Sequence, residues 1–324
     1  MMFFAWKQAC VTDAIFIKGG DHIQNKRSQG IGEIMFNAGN YTVFALFTLL
    51  CIYPFYYLII NSISANDLSA GGQIIFYPRQ LQLNNYVQVF QLQGLPQAAL
   101  VSVGRVAIGT AFPVSVSTYL GYMFSKEKMW GRKFWYRFIL VTMYFGAGII
   151  PTYLTYRNLG LLNSFAVYVL PWLIQPFNIM LVRTYVESTP VSLQESAEID
   201  GAGVMVIFLR IIVPLVTPII ATISIFTAVG QWNAFMDTVI YITDNNLHTL
   251  QFILWRYLNQ TAALANLIRQ NQVNAGILVR SATQPTTTSV QMTVTVIVIL
   301  PILIVYPYFQ RFFIKGIMLG AVKG

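Results

Sequence analysis

The sequence predicts an all-α membrane protein with six transmembrane helices and both termini on the cytoplasmic side, and three observations predict it. Of the 324 residues, 56% are hydrophobic and only 10% charged, whereas soluble domains carry about 25% charged residues. Six stretches stay apolar for the roughly 20 residues that a helix needs to cross about 30 Å of hydrocarbon. All eight lysines, Lys7, Lys18, Lys26, Lys126, Lys128, Lys133, Lys315 and Lys323, fall in tails and connections on one side of a six-span arrangement, and cytoplasmic loops are the ones enriched in Lys and Arg.

Residues 1–40 form a cytoplasmic amino-terminal segment. Its opening MMFFAWKQAC is too short an apolar run for a cleaved signal, and Lys7, Asp13 and Lys18 interrupt the stretch around and beyond it. The transmembrane domain occupies 41–324, with spans near 41–63, 98–124, 135–156, 164–186, 207–231 and 290–313. Outside segments run over 64–97, 157–163 and 232–289, the last too long for a simple connection. Within it LQFILWRYL, residues 250–258, is too short to span and reads as an interfacial or loop helix. Nine of the 13 prolines lie in or at the ends of the spans. Each removes a helix hydrogen-bond donor and tends to kink its helix.

Several function classes are excluded. The formal net charge of +9 is dispersed over tails and loops, where a nucleic-acid binder would gather it on one face. Cys10 and Cys51 lie in a tail and in an apolar run, neither placed for a structural disulfide. Catalysis lacks its residues: the only histidines, His22 and His248, fall on opposite sides of the membrane, and HExxH, CxxC, GxSxG and GxxxxGK[ST] are all absent. We therefore expect no catalytic residue, no metal site and no cofactor on this chain. None of the 11 acidic residues falls well inside a span, which argues against ion-coupled transport.

The polar connection between spans four and five, residues 187–214, is the most informative segment. Pro190 suits a first helical turn, and Ser192 with Glu195 has the spacing of a capping box, which predicts a short helix. Ala197 and Gly201 share a face on which small side chains admit a close neighbour, and Gly201 and Gly203 let the chain turn afterwards. Such a helix either presses into a protein partner or lies on the lipid surface as an amphipathic linker.

ESAEIDGAG followed by IIVP resembles the EAA loop of binding-protein-dependent ABC importers: Glu-Ala-Ala, two free positions, Asp-Gly-Ala, then Ile and Leu-Pro. Glu195, Ala197, Asp200, Gly201, Ala202, Ile211 and Pro214 match this pattern, while Ser196 replaces the second Ala and Val213 the Leu. The segments IYPFYYLIINSIS, FGAGIIPTYLTYRNLGLLNS, AVGQWNAFMD and YPYFQRFFIKGIMLGAVKG extend the likeness from about residue 29 to the carboxyl end. They resemble the second permease subunit of maltose-type carbohydrate importers, in a branch serving larger oligosaccharides that include those of acidic polysaccharides such as alginate.

The resemblance implies the type I ABC importer permease fold and an inner-membrane location. It implies a heterodimer with a second permease, two ATPase subunits that bind ATP and Mg, and a periplasmic sugar-binding protein contacting the 232–289 loop. It further implies that Glu195, Ser196, Ala197, Asp200, Gly201, Ala202 and Gly203 form the coupling helix and turn that dock into a cleft of the ATPase. The alternatives are an ABC permease for peptides or amino acids and an uncoupled channel or scaffold.

For the substrate path, Trp172, Gln175, Asn178, Trp232 and Asn233 are candidates, since aromatic faces and amides suit sugar rings and hydroxyls; helix packing accounts for the same residues. Arg105 lies about 10 Å along span two. A charge at that depth faces water or a partner. It either snorkels or caps backbone carbonyls freed near a proline, or it gives the outer cavity a positive potential suited to an anionic sugar.

Overall fold

The computed structural model describes residues 31–91, 94–259 and 287–321. Among these it is all helical. The first helix, α1 (Ile31–Ser62), contains Pro54. The short α2 (Asn66–Ala70) and α3 (Asn84–Phe90) lead into α4 (Leu95–Ser125). Then come α5 (Arg132–Thr142), α6 (Ile149–Asn158), two 3-10 turns at Phe165–Tyr168 and Leu170–Trp172, and α7 (Pro176–Glu187). The polar connection supplies α8 (Ser192–Ile199) and runs into α9 (Val204–Leu215). After α10 (Thr217–Asn233) and α11 (Met236–Tyr241) come α12, residues 250–259, and α13 (Thr287–Ala321).

The centre of the bundle is α4, which packs against α7 and α10. Gly121 makes the first contact possible, because a Cβ there would stand 2.7 Å from the Val182 side chain and 3.0 Å from the Arg183 backbone nitrogen. Around the Lys126 end of α4, Tyr122, Val182, Val186, Ile207, Phe208 and Ile212 form one buried cluster. Around its Leu95 end, Leu95, Ala98, Leu250, Ile253, Val290 and Val294 form another. The outer surface is the reverse of a soluble protein's. Phe44, Leu46, Phe47, Leu49 and Leu50 along α1 are all exposed, as they should be where lipid or a partner helix replaces water.

Among the described residues two helices, α1 and α4, are long and apolar enough to cross a bilayer unaided, and two more crossings arise if each of two bent pairs counts as one. The stretches expected to span at 135–156, 164–186 and 207–231 are each interrupted, and further than a proline kink would bend them. The first stops at Thr142 and resumes at Ile149, past Gly148 at φ +82°, a conformation that only glycine adopts at little cost. The second bends by 45° ahead of Pro176, and the third by 80° between Leu215 and Thr217. Proline fits a first helical turn because its missing N–H has no partner there, so Pro176 and Pro218 start new helices rather than kink old ones. Between Phe208 and Ile212 the chain also makes a π-helical turn.

Candidate functional site

Two polar constellations stand at opposite ends of α4. At the Lys126 end lies α8, preceded by a turn in which Thr189 Oγ1 donates to the Val186 carbonyl. The helix begins at Ser192, with Val191 at the cap position in helical conformation and no side-chain cap bond. The expected capping box is therefore absent: a capping side chain needs a residue in extended conformation ahead of the first turn, and Ser192 is already helical. Glu195, Ser196 and Asp200 are exposed, and Ser196 Oγ donates back to the Ser192 carbonyl. Ala197 and Ala202 pack onto the buried cluster below.

Gly201 holds φ +79° with open space around it, and Gly203 likewise faces open space. Glycine at 201 thus serves the left-handed turn that ends α8. Beside it, the Ile199 side chain is 86% exposed. An apolar side chain left in solvent at a helix end is a contact waiting for a partner.

Glu198 ties this helix to the rest of the chain. Its two carboxylate oxygens accept from Lys126 Nζ at 2.8 Å and Lys128 Nζ at 2.9 Å, both just beyond α4. The hydrogen bonds from Lys126 and Lys128, with their charge, pull the Glu198 carboxyl down to about 2 and raise Lys128. The sequence marked Lys126 and Lys128 only as topology signals and did not single out Glu198; separations of 72 and 70 residues hide the two bridges.

At the other end, Arg105 is 1% exposed. Its Nε donates to Gln231 Oε1 at 2.8 Å, and Nη1 donates to the Ala234 carbonyl at 3.1 Å and to Asp237 Oδ1 at 3.0 Å. Nη2 bonds the other Asp237 oxygen, and the guanidinium lies 4.5 Å over the Tyr168 ring. The reading in which Arg105 presents free positive charge to an outer cavity does not hold in this structure: a carboxylate 132 residues away neutralises it. Arg105 does cap a backbone carbonyl, that of Ala234, but this carbonyl is left open by the end of α10 at Asn233 rather than by a proline as expected. Gly109 admits the clamp, since a Cβ there would lie 2.9 Å from the Gln231 side chain. Tyr168 Oη in turn donates to the Leu247 carbonyl at 2.7 Å, so α4, α10, α11 and the turns around them share one network.

The remaining candidates divide. Asn178 is buried and donates to Thr227 Oγ1 at 3.2 Å, and Trp232 donates from Nε1 to the Val298 carbonyl at 3.1 Å. Trp232 also lines a pocket of ≈ 310 Å³ with Val103, Ala107, Val229, Ile302 and Val305. Those apolar walls offer sugar hydroxyls no partner. Trp172 is exposed and Gln175 half-buried, its Nε2 donating to the Trp172 carbonyl; Asn233 is exposed at the end of α10. Cys51 is exposed on α1. Lys7, Lys18, Lys26, Lys323, Cys10, His22 and the whole loop stretch 262–284 lie outside the described residues.

Known proteins resemble this chain over nearly its whole length. Residues 114–319 match the family described as binding-protein-dependent transport system inner membrane component. A polygalacturonan/rhamnogalacturonan transport permease of Bacillus subtilis (strain 168) is 34% identical over 284 residues, 88% of this chain and 96% of that one. An arabinooligosaccharide transport permease of Halalkalibacterium halodurans is 27% identical, covering 87% and 94%. The crystal structure of a bacterial ABC transporter that imports the acidic polysaccharide alginate contains a chain with TM-score 0.77 and 26% identity, covering 88% of this chain and 98% of that one.

Proposed function

The chain belongs to the inner membrane components of binding-protein-dependent transport systems, and from that premise we propose that it is one of two permease subunits of an ATP-driven oligosaccharide importer whose substrates include acidic sugars. The family is one of transport permeases, not of enzymes. The relatives support the sugar class: the 34% identical protein is named for polygalacturonan and rhamnogalacturonan transport, and the solved neighbour belongs to a transporter of the acidic polysaccharide alginate.

In this reading the chain crosses six times, each interrupted stretch counted as one, with Lys126, Lys128 and α8 on the cytoplasmic face, where lysines gather, and Arg105 towards the outer one. The observation that carries the coupling role is α8 itself. It is short, exposed, ended by a left-handed glycine and tipped by Ile199. In this reading the helix and the turn from Glu195 to Gly203 seat in the ATPase subunits, which bind ATP and Mg. Closure of those subunits moves α8, and the shared cluster at the foot of α4, α7 and α9 passes the movement into the bundle. The 232–289 segment faces the sugar-binding protein. A peptide permease would need the same α8 but not the aromatic and amide groups at the outer end.

Affinity purification of the tagged chain from its native membrane tests the class directly. A second permease and an ATPase should come down with it, and proteoliposomes bearing the complex should take up oligogalacturonate only with ATP inside and the binding protein outside. A chain recovered alone, or uptake that ignores ATP, rejects the reading.

A further inference from the structure

The short helix α12 divides sharply into two faces. Leu250, Ile253, Leu254 and Tyr257, at the i, i+3, i+4, i+7 spacing of one helix face, pack into the cluster against α4 and α13. The other face carries Gln251, Phe252, Trp255 and Arg256, all half-buried. Phe252 and Trp255 stack at 5.8 Å and 26°, and Phe235, from the start of α11, continues the series against Trp255 at 6.0 Å and 27°. Near-parallel rings about six ångströms apart are offset rather than piled; His248 lies against Phe252 at 4.3 Å and 49°, and Phe235, Phe252 and Trp255 all remain half-buried, so part of each ring is still accessible. The amides lie alongside: Gln251 Nε2 reaches Asn233 Oδ1 at 3.5 Å, and Asn233 itself is exposed. Among the described residues Arg256 makes no ion pair with a carboxylate, whereas Arg105 and Arg183 each do.

We propose that Phe235, Phe252 and Trp255 form a stacking platform for a sugar ring, with Arg256 binding the carboxylate of a uronate and Asn233 and Gln251 its hydroxyls. This rests on the oligosaccharide reading above. The chemistry matches in each part: aromatic faces accept the apolar C–H face of a pyranose, amides both donate and accept towards hydroxyls, and a guanidinium binds a carboxylate through two parallel hydrogen bonds. The site differs from the Arg105 clamp, whose charge is already spent on Asp237. It lies beside Asn233 at the end of α10, so a sugar held here sits at the outer end of that helix, where delivery from outside would begin.

The purified complex in nanodiscs, without binding protein, is titrated with trigalacturonate and with its carboxyl-reduced neutral counterpart. The wild-type fluorescence minus that of Trp255→Phe isolates the Trp255 signal. We expect saturable quenching by trigalacturonate, a half-saturation raised about tenfold by Arg256→Gln, restoration of much of that loss by Arg256→Lys, and no effect of either variant on the neutral sugar. Absence of saturable quenching overturns the proposal, as does an equal shift for both sugars. A Trp255 signal produced by the empty binding protein alone, with none from sugar, makes this face a protein interface and overturns it too. Uptake by the wild-type complex with its binding protein is scored separately: robust uptake with no Trp255 response rejects only the platform, and no uptake of either sugar rejects the importer reading beneath it.

Discussion

The two ends of α4 handle charge in opposite ways. Arg105 is withdrawn from solvent, and Asp237 facing it is 14% exposed; the pair has a backbone carbonyl, an amide and an aromatic ring as further partners. Glu198 lies at the surface, 35% exposed, between two lysines, of which Lys126 is 17% and Lys128 87% exposed. A buried pair is costly to assemble and more costly to break, because removing one partner strands a charge in low dielectric. An exposed pair contributes little and is screened by salt. The Arg105 end of the bundle is therefore built to stay fixed, while the link at the Lys126 end is weak enough to let α8 shift.

The contrast is broken most severely at Asp237. Asp237→Ala leaves the Arg105 guanidinium buried without its carboxylate and should cost about 3 to 5 kcal/mol, read as a large drop in the melting temperature of the complex in detergent. Arg105→Met combined with Asp237→Leu should recover most of that loss, since neither charge remains to be desolvated. Full stability of Asp237→Ala would show that the clamp is not a structural lock.

A smaller effect is expected at the closest helix approach. Gly121→Ala sets a Cβ against Val182 and the Arg183 backbone, and overpacking of this kind costs about 1 to 3 kcal/mol. Chemical denaturation should show it, and truncation of Val182 to Ala in the same chain should relieve part of it.

The smallest effect on stability belongs to Glu198→Gln, which should leave the melting temperature unchanged while lowering stimulated ATP hydrolysis, more so at low salt. Its pH dependence has a definite sign. Because the Glu198 carboxyl is depressed to about 2, the contribution of the bridges is complete above the ordinary glutamate range and fades only as pH falls towards that value. Coupling between about pH 5 and 8 should thus show no titration from this group. A step in stimulated activity across that window that Glu198→Gln abolishes would contradict the assignment.

Much of this organisation was legible in the sequence, for reasons that are physical. Hydropathy located α1, α4 and α13, since the length of an apolar run is a local property. It could not separate α5 from α6 or α9 from α10, because a hydropathy window is blind to hydrogen-bond continuity; the signals were Gly148, Pro176 and Pro218, which read equally well as kinks. Arg105 stood out as a charge at membrane depth, yet Asp237 looked like a loop residue, and no periodicity joins two positions so far apart. The ring strip on α12 was hidden because LQFILWRYL has the same composition whether its second face meets lipid, protein or sugar. What separated the faces was the packing of Leu250, Ile253 and Leu254.

If the α8 segment couples ATP hydrolysis to the permease, as proposed, the turn at Gly201 is where a single substitution should uncouple them. Gly201→Leu places a large side chain in open space at the end of α8 and on a backbone at φ +79°, where L-residues pay about 1 to 2 kcal/mol, a cost local to an exposed turn. The decisive measurement is ATP hydrolysis stimulated by the loaded binding protein in the reconstituted complex, with assembly followed by size-exclusion chromatography. We expect an assembled permease pair whose stimulated hydrolysis and sugar uptake are abolished; an assembled complex with normal stimulation would remove this segment from the mechanism.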